Sequence, residues 1–297
     1  MPATLEIARR NLFESLAQQI LTFDYYKVGK GKNARRVLAA SNADYGNPAS
    51  LQISNFVAEK LTGGRIERKK LAGQTLGNQF EKLIADYLRK TFLALEHLRP
   101  GKWDIFHITA RNEEAVTGCE QYSHLHDLAK FCTEHRQLKA ALGNDYAISP
   151  DVLLTRQTES DAGIDRKGKF LHRGLAERTS LRSRNNDLPL LHACISCKYT
   201  LRSDRSQNAR SEALNLIRNR KGRSPHIVIV TAECLPSRLA SLALGTGDID
   251  CLYHIALPEL IQAVDTLNHS DAKDMLETMI LGKRIRDISD LPLDLAI

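Results

Sequence analysis

The sequence predicts an α/β protein with a central mixed sheet flanked by helices, on two observations. Strand-like runs alternate with helical periodicities along much of the chain. One of those runs, His226 to Thr231 ("HIVIVT"), is apolar without polar alternation, as a strand covered on both faces should be. With 297 residues, 42% of them hydrophobic and 26% charged, the chain can bury a sizeable core; one large domain, or a core with an appended subdomain, is expected.

The elements follow in order. The N-terminus "MPATLEIARRNLFESL" places charges where a secretory signal needs an apolar core, and no run of 18 apolar residues exists, so a cytoplasmic protein with no membrane partner is expected. From Leu76 to Leu98, Phe80, Ile84, Tyr87, Leu88 and Leu95 recur at helical spacing until Arg99-Pro100-Gly101 ends the pattern. "WDIFHIT" (103–109) has strand composition, and "SHLHDLAKFCTEHRQLKAAL" (123–142) reads as a helix. Val152 to Leu154 is a short strand and Leu188 to Thr200 a longer one. Between them, the polar residues 156–187 form an excursion with room to move. A helix over about Gln207 to Arg220 then leads into the buried strand, and the C-terminal 28 residues read as a helix and a packed extension.

Charge is distributed unevenly. The net +7 is modest, but Lys198 to Arg223 contains eight Lys or Arg residues against Asp204 and Glu212. Basic segments at 29–36 and 65–70 can be solvated surface or phosphate contacts. Six cysteines, at 119, 132, 194, 197, 234 and 251, are spaced as reduced core residues rather than as a disulfide framework. His192, Cys194 and Cys197 do not make a zinc site, because Cys194 and Cys197 point to opposite faces of one strand and no second Cys pair follows. "GTGD" (245–248) is a turn and no Walker-type motif exists, which argues against ATP dependence.

The lysine of "SCKYTLRSDRSQNARSE" (196–212) carries the functional reading. Along a strand, Ser196 and Lys198 share one face and Ile195, Cys197 and Tyr199 the other. If the two strands are neighbours, Asp151 can lie beside Lys198. Glu212 falls on the helix side shared with Ala209 and Leu216, which should pack on the sheet. An Asp, a Glu and a Lys at one sheet end suit a divalent metal and phosphodiester hydrolysis, or else form a structural ion-pair cluster. "RSDR" (202–205) offers two arginines able to grip guanine and one carboxylate able to accept from cytosine; two copies related by a dyad would read CCGG.

Ser149-Pro150-Asp151, Ser196-Cys197-Lys198 and Glu212 together resemble the variant PD-(D/E)XK pattern of type II restriction endonucleases that recognise CCGG-containing sites, with Ser196 where other nucleases have an acid. The resemblance spans nearly the whole chain, most densely at 189–233, 242–257 and 288–297. It implies a restriction-endonuclease-like fold. The single domain 1–297 would have its catalytic and recognition core over about 75–255 and a helical, DNA-contacting part over about 1–74. The resemblance assigns Asp151 as a metal ligand, Lys198 as the water-orienting lysine, Glu212 as the displaced acid completing the metal site, the Cys197 backbone carbonyl as a further ligand, and Glu81 as an additional active-site acid. Arg202, Asp204 and Arg205 match major-groove readers, and Gln74 and Arg238 match contacts beyond the core. The loop 41–50 shares its first four residues with the pattern and then departs.

The expected function is Mg²⁺-dependent cleavage of double-stranded DNA at a CCGG palindrome. The family implies GCCGGC cut after the first G, a tetramer of two dimers binding two DNA copies, and pairing with a cognate DNA methyltransferase. The alternative from another class is a non-catalytic, sequence-specific repressor on a nuclease-like fold, against which Asp151, Lys198 and Glu212 argue; a structure-specific repair nuclease would not need the compact "RSDR" reader.

Overall fold

A computed structural model describes residues 2–29, 35–109, 115–135, 137, 148–245 and 247–297. A six-stranded sheet runs in chain order: β3 (Trp103–His107), β4 (Val152–Arg156), β5 (Leu190–Lys198), β6 (His226–Thr231), β7 (Cys251–His254) and β8 (Ile285–Asp287). The first three strands pair antiparallel and β5 to β8 pair parallel, so β5 belongs to both halves. Parallel pairing requires crossovers, and helices supply them. These are α6 (Ser203–Asn219) after β5, α7 (Pro236–Ala243) after β6, and α8 (Leu257–Thr266) with α9 (Ser270–Leu281) after β7.

The N-terminal part holds α1 (Thr4–Gln19), a separate antiparallel pair of β1 (Phe23–Val28) and β2 (Arg35–Ala40), and α2 (Pro48–Thr62). It is therefore not helical throughout. Helix α2 starts where the Asn47 side chain accepts from the Ser50 N–H and Pro48 fits the first turn; it stops at Gly63, whose φ of 67° ends the helix in the left-handed region. The long helix expected from Leu76 is α3 (Gly73–Thr91), followed by a 3-10 turn at Leu93–Leu95. Its apolar stripe of Leu76, Phe80, Ile84 and Leu88 packs with α1 on the sheet face that carries Val152, Leu154, Ile195 and Cys197. A second cluster, containing Tyr122, Leu153, Cys194, Ala213 and Leu216, covers the other face. The sheet is thus enclosed by the period-2 alternation of its own strands.

Strand β6 is buried from Ile227 onward, as its composition requires. Helix α6 begins at Ser203, four residues earlier than its apolar periodicity suggests, because no apolar side chain is needed until Ala209. The excursion after β4 contains α5 (Asp161–Ile164) and is gathered around Arg182. The side chain of Arg182, 3% exposed, binds Asp161 through two nitrogens and donates to the carbonyls of Leu175 and Ala176. Of the helix read at 123–142, α4 (His124–Glu134) is described, whereas residues 136 and 138–142, like 30–34 of the basic segment and Thr246 of "GTGD", lie outside the described residues. The chain ends in α10 (Leu291–Asp294), packed on the core through Leu291 and Leu295. Among the described residues no helix is long and apolar enough to cross a membrane. All six cysteines are free and buried.

Candidate active site

Three strand ends meet where β3 and β5 finish and β4 begins. Val152 is in register with His107 on one side and Ile195 on the other, and this places Asp151 between those strands at the sheet rim. Asp151 Oδ2 accepts from Lys198 Nζ at 2.8 Å and from the Cys197 N–H at 2.6 Å, with the Ser196 hydroxyl 3.5 Å away. Sequence separation of 47 residues is closed by a single antiparallel pairing. The two side chains are 17% and 19% exposed, a shallow position open to a large substrate.

The two sheet faces contribute one further acid each. Helix α6 presents Ala209, Ala213 and Leu216 to the core, and Glu212 lies on that side, with Oε2 3.4 Å from the Ser196 hydroxyl. Its Oε1 is buried without a hydrogen-bond partner. Burial pushes the Glu212 carboxyl up to about 7, with the Lys198 charge opposing and the Asp151 charge adding to the shift. From the other face, α3 brings Glu81, whose Oε2 lies 3.2 Å from His107 Nε2. Burial and the Asp151 charge raise Glu81, against the opposing pull of His107. For Lys198, burial favours the neutral amine but the charge and hydrogen bond of Asp151, aided by Glu212, win and raise its pKa. The ammonium is therefore held charged.

An oxygen-binding divalent metal fits this donor set. Mg²⁺ takes one or two carboxylates and fills its remaining positions with water and substrate oxygen, and the orphaned Glu212 Oε1 is a buried acceptor lacking a donor. Among the described residues no three Asp, Glu, His or Cys side chains group closely enough to hold an ion by themselves. The Cys197 thiol is buried in the core on the α3 side of the sheet, and desolvation pushes it well above its ordinary value.

The residues read as base contacts sit on the same corner. Arg202 is the N-cap residue of α6 and Asp204 and Arg205 occupy its first turn. Arg202 and Asp204 are exposed, while Arg205 is half-buried and donates from Nη1 to the Thr200 carbonyl and hydroxyl at 3.2 and 2.7 Å. Neither arginine has a carboxylate partner among the described residues. Lys70, from the basic segment 65–70, lies close enough that burial and the charges of Arg202 and Arg205 lower its pKa. Gln74 is exposed in the first turn of α3, two turns before Glu81. Arg238, in α7, is instead held by acids: one amino group binds Asp44 and the other lies 3.4 Å from Glu233 Oε2.

His107 is a site neighbour that sequence reading missed. A lone histidine in "WDIFHIT" carries no spacing signal; the β3–β4 register, joining residues 45 apart, brings it beside Asp151, and the packing of α3 on β3 brings Glu81 to it.

Comparison with known proteins extends the geometry. A family model for the NgoMIV restriction enzyme matches residues 27–297. The type II restriction enzyme NgoMIV of Neisseria gonorrhoeae is 51% identical over 257 residues, 86% of this chain and 90% of that protein. Among solved structures, the type IIF restriction endonuclease Bse634I with cognate DNA aligns at 14% identity, over 89% of this chain and 99% of that one, with a TM-score of 0.34. A second Bse634I structure aligns at 15% identity, over 73% and 81%, with a TM-score of 0.32.

Proposed function

The chain belongs to the NgoMIV family of type II restriction enzymes, and from that premise we propose that it hydrolyses both strands of DNA at a palindrome containing CCGG, with Mg²⁺. The observation that carries this reading is the convergence of Lys198, Asp151, Ser196 and Glu212 at a sheet rim only four residues before Arg202. Chemistry and base reading share one strand–helix corner.

In this reading Asp151 holds the Lys198 ammonium in place, and Lys198 orients the attacking water towards the phosphorus. Asp151, Glu212 and the Cys197 carbonyl hold the metal. When bound, the ion neutralises phosphate charge and makes water more acidic. Glu81, steadied by His107, shapes the field around Asp151 from the opposite face. Attack in line, with departure of the 3′ oxygen, leaves a 5′-phosphate and a 3′-hydroxyl.

Arg202 and Arg205 each grip a guanine through O6 and N7, and Asp204 accepts from cytosine amino groups. Two copies related by a dyad then read CCGG, while Gln74 and Arg238 contact DNA beyond that core. The site is GCCGGC, cut after the first G to leave CCGG overhangs. The enzyme is a tetramer of two dimers that binds two DNA copies and works beside a cognate DNA methyltransferase. The whole chain acts as one domain, with a core over about 75–255 and a DNA-contacting part over about 1–74; the hydrogen bonds of Arg9 to Glu259 and Asp287 support this unity. Six buried free thiols suit the reducing cytoplasm.

Digestion of DNA with single and paired GCCGGC sites, with Mg²⁺ and with EDTA, followed by end mapping, tests the reading. Mg²⁺-dependent cuts confined to those sites, faster on paired copies, are expected. Cuts in other CCGG contexts would revise the outer contacts, and binding without cutting would overturn the catalytic assignment.

A further inference from the structure

Glu233, in the loop between β6 and α7, has 0% exposure. Buried carboxylates are rare unless paired, because desolvation of the charge is costly. This one is bonded to three functional segments at once. Oε2 accepts from the N–H of Leu201 at 2.9 Å, the residue just before Arg202, and lies 3.4 Å from Arg238 Nη1. Oε1 accepts from the N–H of Leu235 at 3.0 Å, where the chain enters α7. The Glu233 N–H goes to Thr231 Oγ1 at 3.1 Å, and that hydroxyl donates to the Lys198 carbonyl at 2.6 Å.

The same knot reaches the N-terminal part. Asn42 donates to the Ala232 carbonyl at 2.8 Å, and Asp44 binds the Arg238 amino group that Glu233 leaves free. The two turn N–H groups use different oxygens of Glu233, so a neutral amide in its place would face one of them with a donor. A carboxylate is needed to hold Arg238 as well, and its two oxygens serve the α6 and α7 entrances separately.

We propose that Glu233 is a positioning residue that fixes Arg202, Arg205 and Arg238 relative to Lys198, and so sets how sharply the enzyme discriminates its site. The proposal rests on the restriction-enzyme reading above. Glu233 touches neither metal nor the reacting phosphate in that reading; it acts through the segments it holds.

Two variants of the full chain test this. Glu233→Gln keeps the shape but points an amide NH₂ at one of the two backbone donors and removes the charge facing Arg238; Glu233→Asp keeps the charge and shortens the reach. Cleavage with Mg²⁺ of a duplex library randomised over the recognition site gives the ratio of the rate at the wild-type preferred site to rates at its single-base neighbours. This ratio does not depend on the folded fraction, so partial misfolding alone does not move it. We expect it to fall about tenfold or more in Glu233→Gln, and less in Glu233→Asp. An unchanged ratio in both would overturn the proposal, as would failure of both to fold, which would make Glu233 a purely structural residue. A wild-type enzyme without any preferred site would instead defeat the restriction-enzyme reading, and this proposal with it.

Discussion

Two clusters of acids around a cation lie three strands apart at one end of the sheet, where Lys198, Thr231, His254 and Asp287 fall in one row, and they differ in how fully their members are satisfied. At the β8 edge, Arg9 donates to Glu259 at 2.7 and 3.0 Å and twice to Asp287 at 3.1 Å, while Asp287 also accepts from the N–H groups of Leu257 and Ser289. Burial would raise the Asp287 carboxyl, but Arg9 and Ser289 outweigh it and the pKa falls. Around Asp151 the arrangement is incomplete: Lys198 is bound, yet Glu212 keeps a buried oxygen with no donor and a carboxyl raised to about 7. A cluster that serves folding satisfies its members. The Asp151 cluster leaves an acceptor open at some cost in stability, as the proposed binding of a metal and a phosphate would require.

The sharpest break of this comparison is Asp151→Ala. Cleavage should fall by ~10³-fold or more, several kcal/mol of barrier, while binding to a CCGG duplex by the folded protein stays close to wild type. Single-turnover kinetics and a binding titration check both halves; retained cleavage would remove Asp151 from the mechanism. Arg9→Met should do the reverse. Stranding two partly buried carboxylates should cost about 3–4 kcal/mol of unfolding free energy, with an unchanged cleavage rate per folded molecule, read by urea denaturation alongside active-site titration.

Glu212→Gln sharpens the contrast through pH. Because the folded carboxyl is raised above its ordinary value of 4.5, its contribution to stability is fully present below that pH and lost as pH rises through about 7. The variant should therefore gain up to about 3 kcal/mol over wild type at pH 8, with little difference at pH 4, in metal-free denaturation curves. For Asp287 the sign is opposite: its lowered carboxyl stabilises above its ordinary value of 3.8, and that stability is lost as pH falls through the folded pKa. An Arg205→Ala substitution has the smallest effect, about 1–3 kcal/mol of discrimination at one base pair. Unchanged selectivity in a competition assay would remove Arg205 from base reading.

What the sequence discloses and what it hides divides along the same physical line. Asp151, Lys198 and Glu212 are legible because period-2 alternation in β5 and the 3.6 period in α6 fix which side each takes, and the observed contacts of Ser196 with both acids agree. The strand His226–Thr231 and the core helix beginning near Leu76 are likewise written in their apolar pattern. His107 and Glu233 are not, since each acquires its partners only from strand register and loop closure between distant segments. The β1–β2 pair is equally silent: "FDYYKV" and "RRVLAA" lack clean alternation and lie apart from the main sheet. The early start of α6 was hidden by the charges of its first turn.

Helix α6 carries Arg205 in its first turn and Glu212 seven residues on, ~10 Å along one rigid rod. In evolutionary terms this is a constraint on drift. On the proposed reading, sliding or tilting that helix to meet a new target sequence would also pull Glu212 away from Ser196 and the Lys198 corner, which stay on β5. On that reading, the change that disturbs the Glu212 contact least is exchange of the exposed side chains Arg202 and Asp204 at the helix tip.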